Sequence, residues 1–166
     1  ELTPDATPIV CGAESLTYRE LEERSNRLAL HLRRKGVGPD VPVGILVERS
    51  AEMMVGLFGI LKAGGAYVPL DPSYPRERVR MMLEDSGASV VLTQERLRGL
   101  VEGHEAEAVC LDADWPLIAA ESAARVVREP LPGPADGGWK ELREESAEHA
   151  EVAVADEAEH GSEHHE

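Results

Sequence analysis

Cysteine is scarce: Cys11 and Cys110 are the two in 166 residues, and they lie far apart with no Cys-x-x-Cys pair. That excludes a disulfide framework and a cysteine zinc site, and it suits free thiols in a reducing compartment. Basic residues are also few. Lys and Arg number 17 against 32 Asp and Glu, a net charge of −15. A nucleic-acid partner needs clustered bases to neutralise phosphates, so that class is excluded. No apolar run is long enough to span a bilayer, and no charged-then-apolar signal segment opens the chain. A cytoplasmic location is therefore expected. Three catalytic signatures are missing as well: the Gly-x4-Gly-Lys-[Ser/Thr] phosphate loop, the Gly-x-Ser-x-Gly elbow and His-Glu-x-x-His.

What is present divides unevenly. Residues 136–166 hold 11 acids and 2 bases, while residues 1–135 hold 21 acids and 15 bases. The body has the composition of an ordinary acidic domain, and its length suffices for a real core. Residues 129–138, Glu-Pro-Leu-Pro-Gly-Pro-Ala-Asp-Gly-Gly, form a Pro/Gly linker. The Glu/Ala/His-rich stretch after it has almost nothing to bury and is expected to be disordered. Trp139 to Ala147 weakly echoes Trp115 to Ala123.

Within the body, hydrophobic periodicity alternates between two kinds of element. Ile9-Val10-Cys11 forms a short strand turning at Gly12. Thr17 and Glu20 make a capping box for a helix with Leu21, Leu28 and Leu32 on one stripe, ended by Gly36 and Val37 in a Schellman turn. Val43 to Val47 is a continuous apolar run, the mark of a strand buried on both faces. Ser50 caps a helix over 51–63 that is apolar almost all round and so is expected to be buried on most sides. Residues 66–70 extend, and 71–75 have turn chemistry. A helix starts with Pro75 in its first turn and runs to Ser86, with Val79, Met82 and Leu83 inside and Gly87 as its stop. Ser89–Thr93 is a second buried strand, 95–102 a short helix, and Ala108–Leu111 a third strand. The order strand, helix, strand, helix, strand implies right-handed crossovers onto a parallel sheet, an α/β fold.

Candidate chemistry is thin. Lys62 precedes Gly64 and Gly65, but phosphates are held at helix N-termini, so Lys62 is read as complementing a helix C-terminus. Asp112 and Asp114 follow a strand end, where ligands sit in open α/β sheets; without a third partner they read as solvated loop acids. Asp71 reads as the acceptor of an Asx turn. His160, His164 and His165 cluster with Glu159, Glu163 and Glu166 as a weak, adventitious metal site. Ser15, Ser50, Ser73, Ser86 and Ser89 occupy caps, turns or a strand start. The pairs Met53-Met54 and Met81-Met82 read as filler on buried helix faces. Catalytic, cofactor and metal residues are therefore none.

Two longer motifs carry a resemblance. Leu16-Thr17-Tyr18-Arg19-Glu20-Leu21 and Leu61-Lys62-Ala63-Gly64-Gly65-Ala66-Tyr67-Val68-Pro69-Leu70-Asp71 stand in order along the chain. They resemble core motifs of the amino-acid adenylation domains of nonribosomal peptide synthetases, within the AMP-forming, acyl-activating enzymes. Gly44 to Ser50 and Met82 to Ala88 also read like that branch, and the similarity runs from about Pro4 to about Ala123. The family's Ser/Thr/Gly-rich phosphate loop has no counterpart here, nor do its later motifs or its C-terminal lid with the catalytic Lys.

The resemblance implies an incomplete N-terminal subdomain, a mostly parallel sheet flanked by helices, over 1–128, with the linker and acidic tail over 129–166. The chain, which begins with Glu1, reads as an excerpt or truncated product of an amino-acid-activating ligase, inactive alone. The family core-motif residues, all structural, are Leu16, Thr17, Tyr18, Glu20, Leu21, Leu61, Lys62, Ala63, Gly64, Ala66, Tyr67, Pro69, Leu70 and Asp71. The parent would use ATP and Mg, with phosphopantetheine on a partner carrier domain. Its partners would be the remainder of the adenylation domain and neighbouring condensation and carrier domains. The alternative is a stand-alone, non-catalytic binding module that reuses the same frame.

Overall fold

A computed structural model of the chain describes residues 9–11 and 14–126. The Pro/Gly linker, the acidic tail, the second Trp echo, the His160–His165 cluster and the 128/129 domain boundary all lie outside the described residues. Two short strands, β1 (Ile9–Cys11) and β2 (Glu14–Leu16), pair antiparallel with Ile9 opposite Leu16.

Helix α1 (Tyr18–Arg34) starts on a complete capping box: the Glu20 N–H donates to Thr17 Oγ1 at 3.2 Å, and the Thr17 N–H donates to Glu20 Oε2 at 2.9 Å. It ends in a full Schellman motif. Gly36, at φ 87°, donates to the Arg33 carbonyl, and Val37 donates to that of Leu32.

The main sheet holds β3 (Pro42–Ile45), β4 (Ala66–Pro69), β5 (Val90–Thr93) and β6 (Glu107–Cys110), in spatial order β4-β3-β5-β6, with every pairing parallel. The connections are α2 (Ala51–Ala63), α3 (Arg76–Ser86) and a 3-10 helix (Glu95–Leu100), and the short α4 (Trp115–Ala119) follows β6. The α/β reading therefore holds, with the two strands read as buried on both faces, β3 and β5, at the centre of the sheet.

Strand alternation sorts the side chains into two cores. Val43, Ile45, Val90, Leu92 and Val109 pack with Leu28, Leu32, Val55 and Ile60 of α1 and α2. On the opposite face Leu46 and Val91 pack with Val79 and Leu83 of α3, and with Val101 after the 3-10 helix. Glycines set the closest approaches. A Cβ on Gly59 would lie 2.5 Å from Leu28, and one on Gly44 would lie 2.7 Å from Leu83. Helix α1 thus nests on α2, and α3 lies directly on β3.

Four expectations change. Helix α2 is not buried on most sides: Ala51, Val55, Gly56, Gly59, Ile60 and Ala63 face inward, while Phe58 and Leu61 are exposed, because α2 belongs to an outer layer. Met81 points to solvent from the outer side of α3, whereas Met53, Met54 and Met82 pack half-buried against the two cores as read from sequence. The segment after β5 is a 3-10 helix shorter than the 95–102 span. Pro75 caps α3 from outside rather than occupying its first turn.

Candidate functional site

The first motif opens α1 and the second closes α2, and Lys62 ties the end of α2 to α1 just beyond the first motif. Leu16 and Leu21 are buried, Thr17 and Glu20 form the cap, and Tyr18 is exposed. In the second motif Leu61 is exposed and Ala63 is buried. Gly64 caps α2 at φ 100°, and its Cβ would crowd the Gly38–Pro39 backbone at 3.3 Å. Ala66, Tyr67 and Pro69 are exposed along edge strand β4, and Leu70 is buried. Asp71 accepts from the Ser73 N–H at 2.8 Å, the Asx turn read from sequence; that bond holds its carboxyl below the usual range.

Lys62 does more than complement the end of α2. Its ammonium donates to Glu22 Oε2 at 2.7 Å, and to Ser25 Oγ and Asn26 Oδ1, each at 2.8 Å. The Lys62 bond holds the Glu22 carboxyl below its ordinary value. Arg33 donates to the carbonyls of Lys62 and Ala63, so α1 also closes the C-terminus of α2. Sequence reasoning missed these partners. The available signal was Ser25, a polar residue inside the apolar stripe of Leu21, Leu28 and Leu32.

Ligands of open α/β sheets gather at the C-terminal strand ends. Here those ends are occupied by an internal polar network. Gln94 Nε2 donates to Glu52 at 2.5 Å, the Glu48 N–H donates to Gln94 Oε1 at 3.2 Å, and Arg96 pairs with Glu48. Asp112 accepts from the Glu95 N–H at 3.0 Å, and Asp114 accepts from the Cys110 N–H at 2.8 Å. Both aspartates thus accept from backbone N–H groups, and Asp112 stays exposed in its turn. Cys110 is a buried free thiol, pushed up to about 11 by burial first and by neighbouring Glu95 and Asp114. Thr93 Oγ1 is buried without a partner at the end of β5.

A cleft of about 330 Å³ opens beside this edge, lined by Arg24, Glu52, Val55, Leu111, Asp112 and Trp115. The Arg24 guanidinium stacks over the Trp115 ring at 5.5 Å. Below it α1 grips the chain that leaves α4. Arg27 donates to the carbonyls of Ala119 and Glu121, Asn26 donates to that of Ala123 at 3.0 Å, and Arg34 pairs with the buried Glu121 carboxylate at 2.7 Å. Such an edge holds its own chain. Among the described residues no group of three or more His, Cys, Asp or Glu is placed to hold a metal ion, and no helix is long and apolar enough to cross a membrane.

Known proteins share this frame. A family model described as AMP-binding enzyme matches residues 1–158. The chain belongs to that family. A linear gramicidin synthase subunit of Brevibacillus parabrevis is 54% identical over 126 residues, which cover 76% of this chain and 2% of the synthase polypeptide. Bacitracin synthase 2 of Bacillus licheniformis is 48% identical over 132 residues, covering 80% of this chain and 5% of that protein. The nonribosomal peptide synthetase FmoA3 superposes with TM-score 0.71 at 38% identity, covering 77% of this chain and 14% of that one. The N-terminal subdomain of Klebsiella oxytoca NpsA shares the fold with TM-score 0.63 at 24% identity, and the match covers 76% of this chain and 32% of that one. This AMP-binding-family chain is thus the N-terminal part of an adenylation domain of the nonribosomal-peptide-synthetase type, and it spans a few hundredths of the length of these two curated relatives.

Proposed function

We propose that this segment is the structural opening of an amino-acid-activating ligase. The parent reaction joins an amino acid and ATP into an aminoacyl-adenylate with release of pyrophosphate, then passes the aminoacyl group to a carrier-protein thiol. One observation carries the division of labour. Four polar motif residues of the segment are committed to its own frame: Thr17 and Glu20 to a cap, Lys62 to α1, Asp71 to a turn. The residues present do not fit ATP, Mg or a phosphopantetheine arm. Stabilising charge on a transferred phosphate requires aimed donors, and the sequence carries no loop to supply them.

The segment alone is therefore inactive. Purified chain assayed for ATP–pyrophosphate exchange against the proteinogenic amino acids should match a no-protein control. Substrate-dependent exchange above that control would overturn the reading.

A second reading rests on a different observation. Both faces of the sheet carry helices from this chain, as a stand-alone binding module would require. Sequencing the gene downstream of codon 166 separates the two, since a phosphate-loop sequence there supports the ligase segment.

A further inference from the structure

Two outer helices of this chain are built for different surroundings. Helix α3 meets water: its outward side carries Glu77, Arg80 and Glu84, with Arg80 paired to both acids. Helix α2 has two charged residues, and both are engaged at its ends, Glu52 by Gln94 and Lys62 by α1. Between them the outward side shows Phe58 and Leu61, spaced i, i+3, with half-buried Met54 and Leu57 beside them. Phe58 is 40% exposed and Leu61 44%. Tyr67 stands two residues past the Gly64-Gly65 turn at 46% exposure. Its register partner Val43 lies in the α1/α2 core, so Tyr67 is on the same sheet face as α2. A surface helix ordinarily sets charged residues opposite its core stripe, and a stripe without them marks a covered interface.

We propose that this stripe, with Tyr67, is the docking surface for the remaining part of the N-terminal subdomain. The inference rests on the ligase-segment reading and names the surface that reading requires. The occupant follows from length. The match covers 32% of the isolated NpsA N-terminal subdomain, so about two thirds of a subdomain of this fold is chain of which this segment has no counterpart. That remainder must contact this segment, and α2 offers the one uncharged outer helix face among the described helices of three or more turns.

The test uses the full 166-residue chain, tagged and co-expressed with a second polypeptide. That polypeptide is the part of the linear gramicidin synthase subdomain that follows the segment matched here. Wild type should co-purify with it. Phe58→Glu/Leu61→Glu should lower recovery on the order of tenfold or more, because carboxylates would be desolvated in the contact. Arg80→Ala/Glu84→Ala on α3 should leave recovery unchanged. The single variant Leu61→Gln, with the melting temperature of each isolated chain, guards against loss of the fold. Equal recovery of wild type and folded stripe variants would overturn this surface while leaving the ligase reading intact. No recovery of wild type would overturn the docking itself. Self-association of wild type that the stripe variants abolish would do so in favour of a second copy of this chain.

Discussion

At the scale of single residues, Lys62 shows how a motif lysine at a helix end becomes a structural clasp. Its ammonium meets two buried polar side chains, Ser25 and Asn26, on the neighbouring helix. Lys62→Met should leave both short of a partner and cost about 1–3 kcal/mol, read as a lower urea midpoint with an unchanged m-value. Acid sensitivity also belongs to this scale. Burial, and then nearby Lys35, hold His31 below its ordinary value. The folded chain therefore binds fewer protons at that site than the unfolded chain. The stability this contributes is present above about pH 6.5 and is lost as pH falls towards the lower folded value. Glu22, held down first by Lys62, and Asp71, held down by the Ser73 N–H, act in a second window. Theirs is present above about pH 4.3 and is lost as pH falls through their depressed values. Urea midpoints should fall in both windows, and His31→Gln should flatten the upper one. Parallel profiles for wild type and His31→Gln between about pH 7.5 and 5.5 would show that His31 does not set it.

At the scale of elements, α2 decides which substitutions matter. Ile60 is fully enclosed in the core, whereas Leu57 sits at its border. Ile60→Asp should unfold the chain by burying an unpaired charge. Leu57→Asp, which an all-round apolar helix would make equally severe, should leave a folded protein with a lower midpoint. Circular dichroism of the two variants separates them. Gly59 makes the complementary case. Helix propensity favours Ala over Gly by about 1 kcal/mol, but the added methyl would sit 2.5 Å from Leu28. Overpacking of about 1–3 kcal/mol should prevail, so Gly59→Ala should lower the melting temperature. A rise would mean that α1 can shift away.

At the scale of the whole molecule, the two-sided cover of the sheet governs stability. Helices α1 and α2 close one face, and α3 with the 3-10 helix closes the other, each over its own buried cluster. The described body should therefore unfold in one cooperative transition, checked by coincident far-UV and Trp-fluorescence melts. Its ANS signal should come from the α2 stripe and drop in Phe58→Glu/Leu61→Glu. An unchanged signal would place the exposed apolar surface elsewhere. Strand β4 is an edge with Pro69 in it, which removes one ladder donor and discourages strand addition there.

The sequence by itself determined what depends on neighbours a few residues apart. Thr17 with Glu20, Gly36 with Val37, Ser50 and Gly64 set the helix ends. The apolar runs at 43–47 and 89–93 set the central strands, and the alternation of strands and helices set a parallel sheet. Two long motifs in order sufficed for the family. Only the tertiary structure decided which apolar residues are covered, because periodicity reports a side chain's direction and not what stands there. Helix α2 is apolar all round in sequence, yet it lies in an outer layer with Phe58 and Leu61 in water. The clasp of Lys62 with Ser25 and Asn26, and the grip of Arg27 and Asn26 on residues 119–123, join positions tens of residues apart. The packing of Gly59 on Leu28 depends on the distance between two helices. No local pattern encodes these three features, since each exists only after the chain has closed on itself.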